Sequence, residues 1–93
     1  MAELTILSLR PIVGPTRSPL APGMLIRECT LVSLPPVTPQ GSAAYVGDQH
    51  VSSQNTIGLP LSDVPQIIKG PFNGSQVFVD VPGGVSVTGI LVI

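Results

Sequence analysis

Proline and glycine are spread along the whole chain, and they constrain its fold more than any other feature. The 93 residues include 11 prolines and 10 glycines. Proline breaks helix interiors and glycine disfavours them, and no stretch keeps a helical apolar period over successive turns. The turn residues instead separate short β-branched runs. This pattern predicts an all-β fold, a small antiparallel β-sandwich or jelly-roll, formed by one β-domain over residues 1–93.

Strands are predicted where apolar residues run or alternate between turn signals. They lie at 4–9, 24–32, 43–46, 50–52, 64–68, 77–81 and 85–93. In the second of these, Leu25, Cys29 and Leu31 are expected to share a face, since alternate residues of a strand point to the same side. In the segment 77–81 the three valines share one face.

The closing strand carries a further signal. It begins with Val85 and Val87 facing in and Ser86 and Thr88 facing out, and then becomes apolar on both faces over 90–93. A strand that is apolar on both faces needs cover on both sides. Its end is therefore either central in the fold or buried in an oligomer.

The segment 10–23 is rich in proline and glycine and is predicted to be an extended N-terminal arm or loop. Proline cannot sit in a central strand, and a long irregular segment in a small domain is usually functional or disordered. The apolar Ile12, Val13 and Leu20 argue against disorder and favour an arm that lies on a neighbouring subunit. A second loop is predicted at 33–42.

Further turns are predicted at Gly47-Asp48, at Gly70-Pro71 and at Asn73-Gly74. Asn-Gly favours a tight hairpin.

The stretch 45–61, "YVGDQHVSSQNTIGLPL", gathers polar residues that resemble an active site. Asp48 and His50 would point to one side of a strand, as metal ligands do, and Cys29 with His50 and an aspartate would supply a nucleophilic triad. One histidine with scattered aspartates is a weak ligand set, and a cysteine in an apolar strand behaves as a buried hydrophobe. The stretch is therefore interpreted as turns, and neither an enzyme, a metal nor a cofactor is expected.

Charge is scarce and balanced. Charged residues make up 10% of the chain and the net charge is −1, whereas soluble domains average about 25% charged residues. A broad nucleic-acid-binding patch is not expected, and no apolar run approaches the length of a membrane span. The single cysteine excludes an internal disulfide and suits assembly in a reducing compartment. We interpret the low charge as a surface that another protein covers.

Residues 43–93 follow an ordered pattern of turns and strands. A "YVG" strand is followed by a "V-S" return, an "N-x-x-G-x-P-L" turn, a "V-F-V"-like strand and a closing valine-rich strand. The pattern is carried by Tyr45, Val46, Gly47, Val51, Asn55, Gly58, Pro60, Leu61, Val77, Val79, Val85 and Val87. In this order it resembles small virion proteins of tailed bacteriophages.

The resemblance implies a structural β-domain of a phage virion. The expected role is that of a capsid decoration or cement protein that binds the outer head surface and stabilises joints between major capsid subunits. A neck, tail or fibre component is the alternative, and a carbohydrate-binding module fits poorly because the chain has only three aromatic residues. The expected partners are the major capsid protein and further copies of the chain, as a trimer or dimer, on a virion assembled in the host cytoplasm. The expected interface residues are Arg10, Ile12, Val13, Arg17, Leu20, Ile90 and Val92.

The arginines at 10, 17 and 27 are each expected either to pair with carboxylates of a partner protein or to be solvated charges in loops.

Overall fold

A computed structural model of the chain describes residues 5–35 and 43–93, and within them it is all β. The strands are β1 (Ile6–Val13), β2 (Thr16–Pro19), β3 (Leu25–Leu34), β4 (Tyr45–Gly47), β5 (Leu59–Pro60), β6 (Gln66–Asn73), β7 (Phe78–Val81) and β8 (Ser86–Val92). Within those residues, no helix is long and apolar enough to cross a membrane.

Two four-stranded antiparallel sheets pack face to face. The first sheet has the order β1-β8-β3-β6 and the second sheet has the order β2-β7-β4-β5. The pairs β1–β8, β2–β7, β3–β6 and β4–β5 alternate between the two sheets, as they do when a long antiparallel ribbon is rolled into two layers. This is the arrangement of a jelly-roll, and the predicted fold class is confirmed.

The core lies between the sheets and is almost entirely aliphatic, because strand alternation places every second residue there. Val79 and Val81 on β7, and Val85 and Val87 at the start of the closing strand, are at most 1% exposed. The predicted inward orientation of Val85 and Val87 is confirmed, and so is the predicted shared face of Val79 and Val81. The rest of the core cluster is Leu20, Ala21, Ile26, Cys29, Leu31, Ala44, Val46, Leu61 and Leu91.

The segment 10–23 is not a free arm, and that prediction is wrong. It completes β1 and forms β2, which pair with β8 and β7 inside the same chain. Both are edge strands, where proline is tolerated because one side of the strand makes no ladder hydrogen bonds. Pro11 sits at the irregularity between Leu9 and Ile12, where the β1–β8 register shifts.

The two turns predicted around residue 70 turn out differently. Gly70 and Pro71 lie inside β6. Asn73-Gly74 does turn the chain, but it is not a hairpin, because it links β6 of the first sheet to β7 of the second. Gly74 instead donates its N–H to the carbonyl of Met24 at 2.7 Å.

Other boundaries shift by a few residues. Leu25 does not share a face with Cys29, because the β3–β6 register shifts between Ile26 and Glu28 and leaves Leu25 64% exposed. The predicted strand at 50–52 is only a bridge between Ser52 and Ile57. The loop predicted at 33–42 begins later, after β3, and its residues 36–42, like the predicted strand start at Leu4, lie outside the described residues.

Candidate functional site

The outer face of the first sheet is aliphatic, although it faces solvent. Its outward positions alternate with core positions along each strand, so that Ile90 is 42% exposed while its neighbour Leu91 is 4% exposed. We call this surface the apolar face. Its aliphatic members are Ile6, Val13, Val32, Leu34, Ile67, Ile90 and Val92.

Small hydroxyl residues fill the spaces between these aliphatic side chains. One row across the sheet reads Ser8, Ile90, Thr30 and Ile67, as the strand register shows. The charged residues of the face are confined to its margins. Glu28 and Lys69 are cross-strand neighbours at one end, where the exposed Arg27 also lies, and Arg10 lies on the β1 edge strand. The middle of the face therefore carries no ionised group.

The outer face of the second sheet differs, because the chain covers it with its own loop. Arg17 and Asp80 are register partners on β2 and β7 and point outward. The Nε–H of Arg17 donates to the carbonyl of Val51 at 3.0 Å, and its Nη2 donates to the carbonyl of Gln49. The backbone N–H of Ser53 donates to Oδ2 of Asp80 at 2.7 Å. These bonds fold the loop 48–58 onto the sheet.

Val51 is the apolar anchor of this loop. It is 1% exposed although it lies outside the core cluster between the sheets. It packs against two glycines: a Cβ placed on Gly58 would come within 2.7 Å of Cγ2 of Val51, and a Cβ on Gly47 would lie 3.4 Å from its Cβ. Gly58 also has a φ of +118°, which favours glycine. The interpretation of 45–61 as turns agrees with this structure.

An open cleft of about 780 Å³ lies between this loop and the β7–β8 turn. It is lined by polar groups that include His50, Ser52 and Asp80, and among the described residues no Phe, Tyr or Trp lines it. Sugar-binding sites rely on aromatic platforms and clustered free polar groups, whereas Arg17 and Asp80 here already bond to the loop. The cleft therefore lacks the features of a typical sugar-binding site.

The fold does not bring together the residues considered as metal ligands or as a nucleophilic triad. Cys29 is fully buried between the sheets, whereas His50 is exposed in the loop on the outer side of the second sheet. Burial, with a smaller contribution from the nearby Glu28, raises the pKa of the Cys29 thiol to about 11, so the thiol is neutral at physiological pH. Asp48 accepts the backbone N–H of His50 at 2.8 Å as a turn residue. Across residues 5–35 and 43–93, no three His, Cys, Asp or Glu residues are grouped to hold a metal.

The predicted interface residues divide into three groups. Val13, Ile90 and Val92 lie on the apolar face, and Arg10 lies at its edge. Leu20 is 4% exposed and belongs to the core, so its assignment to an interface is wrong. Ile12 also packs against the core, and Arg17 is bonded to the loop of its own chain.

Four members of the apolar face were not identified from the sequence: Ile6, Val32, Leu34 and Ile67. A signal for them existed. Ile67 and Ile68 are adjacent aliphatic residues, and adjacent residues of a strand point to opposite faces. The same reasoning applies to Leu31 and Val32. An aliphatic pair inside a strand therefore indicates that both faces of the sheet are apolar at that level.

The end of β8 is central in its sheet, but this position does not cover both of its apolar faces. The strand is central, between β1 and β3, yet Ile90 remains exposed because neighbouring strands cover its edges and not its outer face. Comparisons with protein-family models, curated proteins and solved structures found no match to this chain. The contrast between the bare apolar face and the covered second sheet is the feature that bears most directly on function.

Proposed function

We propose that this protein is a structural component of a tailed-bacteriophage virion, of the capsid decoration or cement type. Its action is mechanical: it binds the shell of the major capsid protein from outside and stabilises the joints between subunits. The observation that carries the proposal is the apolar face, in a chain whose charged residues are only 10% of the total.

The apolar face argues for enclosure within an assembly. Ile6, Ile67 and Leu34 are 65%, 60% and 50% exposed. Contiguous apolar patches beyond a few hundred Å² are rare on monomeric soluble proteins and usually mark interaction sites. The same chain covers its other sheet with the loop 48–58, held by Arg17 and Asp80. A face left bare beside a covered one is suited to contact with another protein.

Two further observations support a virion role in particular. The first is the resemblance of residues 43–93 to small phage virion proteins. Among the residues that carry this resemblance, Gly47, Asn55, Gly58 and Pro60 shape the loop on the second sheet. The second is the jelly-roll, which occurs in viral capsid proteins and also in lectins and cupins. A fold alone does not assign a function, so the resemblance carries more weight than the topology.

Stabilisation would come from many small contributions. Burying apolar surface is worth about 25 cal/mol per Å², and a contact of a few hundred Å² contributes on the order of 10 kcal/mol before the cost of association is subtracted. Repeated around a shell, even a modest net gain at each site raises the resistance of the whole head to internal pressure. The chain needs no catalytic group for this role.

The decisive experiment is a count of this chain in purified particles of the phage that encodes it. Particles are separated into heads and tails, and the chain is quantified in each fraction against the major capsid protein. The proposal expects hundreds of copies per particle, all in the head fraction. A few copies, found with the neck or tail, would favour the alternative of a neck, tail or fibre component. Absence from the particle would refute both.

A further inference from the structure

We propose that the apolar face docks on the same face of a second copy of this chain. The two copies would be related by a twofold axis that runs parallel to the strands, midway between β8 and β3. This inference rests on the proposed function in taking the apolar face as a contact surface. It concerns the free protein, because the same face cannot contact the shell and a second copy at once, and its test requires no particle.

The first argument is the pattern on the two central strands. At each level of the β8–β3 ladder, one outward residue is aliphatic and its neighbour is polar. Halfway along the ladder the aliphatic residue changes strands. The outward residues of β8 are aliphatic near its C-terminal end, and those of β3 are aliphatic near its own C-terminal end. Because the two strands are antiparallel, these ends lie at opposite ends of the sheet. The pairs are Val92 with Glu28, Ile90 with Thr30, Thr88 with Val32, and Ser86 with Leu34.

The second argument is what the twofold rotation does to this pattern. It brings β8 of one copy over β3 of the other at the same level, so Ile90 lies over Thr30 and Val32 lies over Thr88. It also brings the edge strands β6 and β1 together, which places Ile67 over Ser8. Large side chains then face small ones throughout the middle of the contact. Packed sheets interdigitate in this way at a separation of about 10 Å.

A symmetric contact of this kind is isologous and closes with two copies, so it does not propagate into fibres. An unrelated partner would need its own complementary ridges, whereas a second copy already has them. The charged pair at the end of the face, Glu28 and Lys69, lies at the margin of the dimer, where water reaches it.

The available area sets the strength of the contact. Four strands spaced by about 4.8 Å and outward residues spread over about seven positions of about 3.3 Å give a face of roughly 440 Å². A pair of copies therefore buries on the order of 900 Å², close to the roughly 1,000 Å² that a specific interface needs. This area predicts a reversible dimer, which is populated at high concentration and dissociates on dilution.

The first test is the mass of the purified chain by sedimentation equilibrium from micromolar to millimolar concentration. The mass should rise from 9.6 kDa towards twice that value. Ile90→Lys should weaken the dimer at least tenfold. Leu59→Lys is the matched control and should leave it unchanged, because Leu59 is 43% exposed, against 42% for Ile90, and lies on the second sheet. Ile67→Lys, at the edge strand β6, repeats the test if Ile90→Lys fails to fold.

The second test reads the register. Ser8→Cys and Ile67→Cys are prepared as separate proteins and treated with a short bismaleimide, alone and mixed. Within one chain these positions are three strand spacings apart, about 14 Å, and Cys29 is buried. The proposed twofold places Ile67 over Ser8 of the other copy, so covalent dimer should form in the mixture and not in either protein alone.

A chain that remains monomeric at millimolar concentration would overturn the inference, as would a dimer that Ile90→Lys leaves intact or a mixture that crosslinks no more than its components. These outcomes are separable from the proposed function. A monomer found in hundreds of copies on heads refutes the dimer alone, and a dimer absent from particles refutes the virion role alone.

Discussion

Arg17 and Asp80 lie opposite each other on β2 and β7 and hold the same loop from two sides. The guanidinium donates to the carbonyls of Gln49 and Val51, and the carboxylate accepts the N–H of Ser53 at 2.7 Å. The guanidinium also lies 5.9 Å from the centre of the Phe78 ring. A neighbouring cation and anion thus bind backbone of the loop, and the second sheet is covered as a result.

Replacing Arg17 with alanine should release this loop. Two charge-assisted hydrogen bonds and the contact with Phe78 contribute about 1–2 kcal/mol after allowance for solvent exposure. Chemical denaturation should show that loss, and the Ser53 amide should exchange its hydrogen faster. Arg27→Ala, an exposed position on β3, is the control and should change stability by less than about 0.5 kcal/mol. Equal effects of the two substitutions would contradict the anchoring role.

Gly89 should not tolerate alanine. It lies in the central strand β8 between Leu9 and Leu31, and a Cβ there would collide with the backbone carbonyl of Thr30. Backbone cannot move aside as a flexible side chain can, so we expect Gly89→Ala to cost at least about 3 kcal/mol or to prevent folding. In Gly83→Ala the nearest atom is 3.9 Å away, and thermal unfolding of this variant should match the wild type.

Leu20 lies in the core and not at the interface predicted from the sequence. Because it is 4% exposed and packs in the core, Leu20→Ala should reduce the free energy of unfolding by about 2–5 kcal/mol in the isolated chain. Val13→Ala removes an aliphatic side chain that is 64% exposed, and it should cost less than about 1 kcal/mol. A loss of less than about 1 kcal/mol for Leu20→Ala in denaturant unfolding would contradict the placement of Leu20 in the core.

Cys29 should make the fold sensitive to alkali. Its pKa is raised from 9.0 to about 11 by burial, so the unfolded chain loses the thiol proton at lower pH than the folded chain does. The contribution of the thiol to the free energy of unfolding is therefore fully present below pH 9. It falls as the pH rises from 9 through 11, by up to about 3 kcal/mol in total. Cys29→Val removes this loss, and the difference in unfolding free energy between the two proteins, followed from pH 8 to pH 11, measures it. A constant difference would contradict the assignment.

The sequence predicts this fold best where the alternation is strict. Val79 alternates strictly with Val81 in one strand and Val85 with Val87 in the next, and all four valines are buried. The same alternation predicts the wrong face for Leu25, because the register shift between β3 and β6 changes which residues of β3 face inward. Such a shift depends on the partner strand β6, which lies more than 40 residues further along the chain, and the local pattern does not report it.

The proline-rich segment shows a second limit. Its prolines correctly exclude a central strand, but edge strands also accept proline, and the choice between an edge and a free arm depends on distant partners such as Val79 for Ser18. Asn73-Gly74 is similar: the turn is local, but its direction is set by Met24 and Ala21, which bond to Gly74. The apolar face was partly predictable, because aliphatic pairs such as Ile67-Ile68 place apolar residues on both sides of a strand.

The central claim is that protein encloses the apolar face in the assembled particle, and hydroxyl-radical footprinting tests it directly. Side-chain oxidation at Leu34, Ile67 and Ile90, which are 50%, 60% and 42% exposed in the isolated chain, is compared between dilute purified protein and intact particles. The account predicts that all three side chains become strongly protected in the particle. Oxidation at the same rate in both states would contradict it.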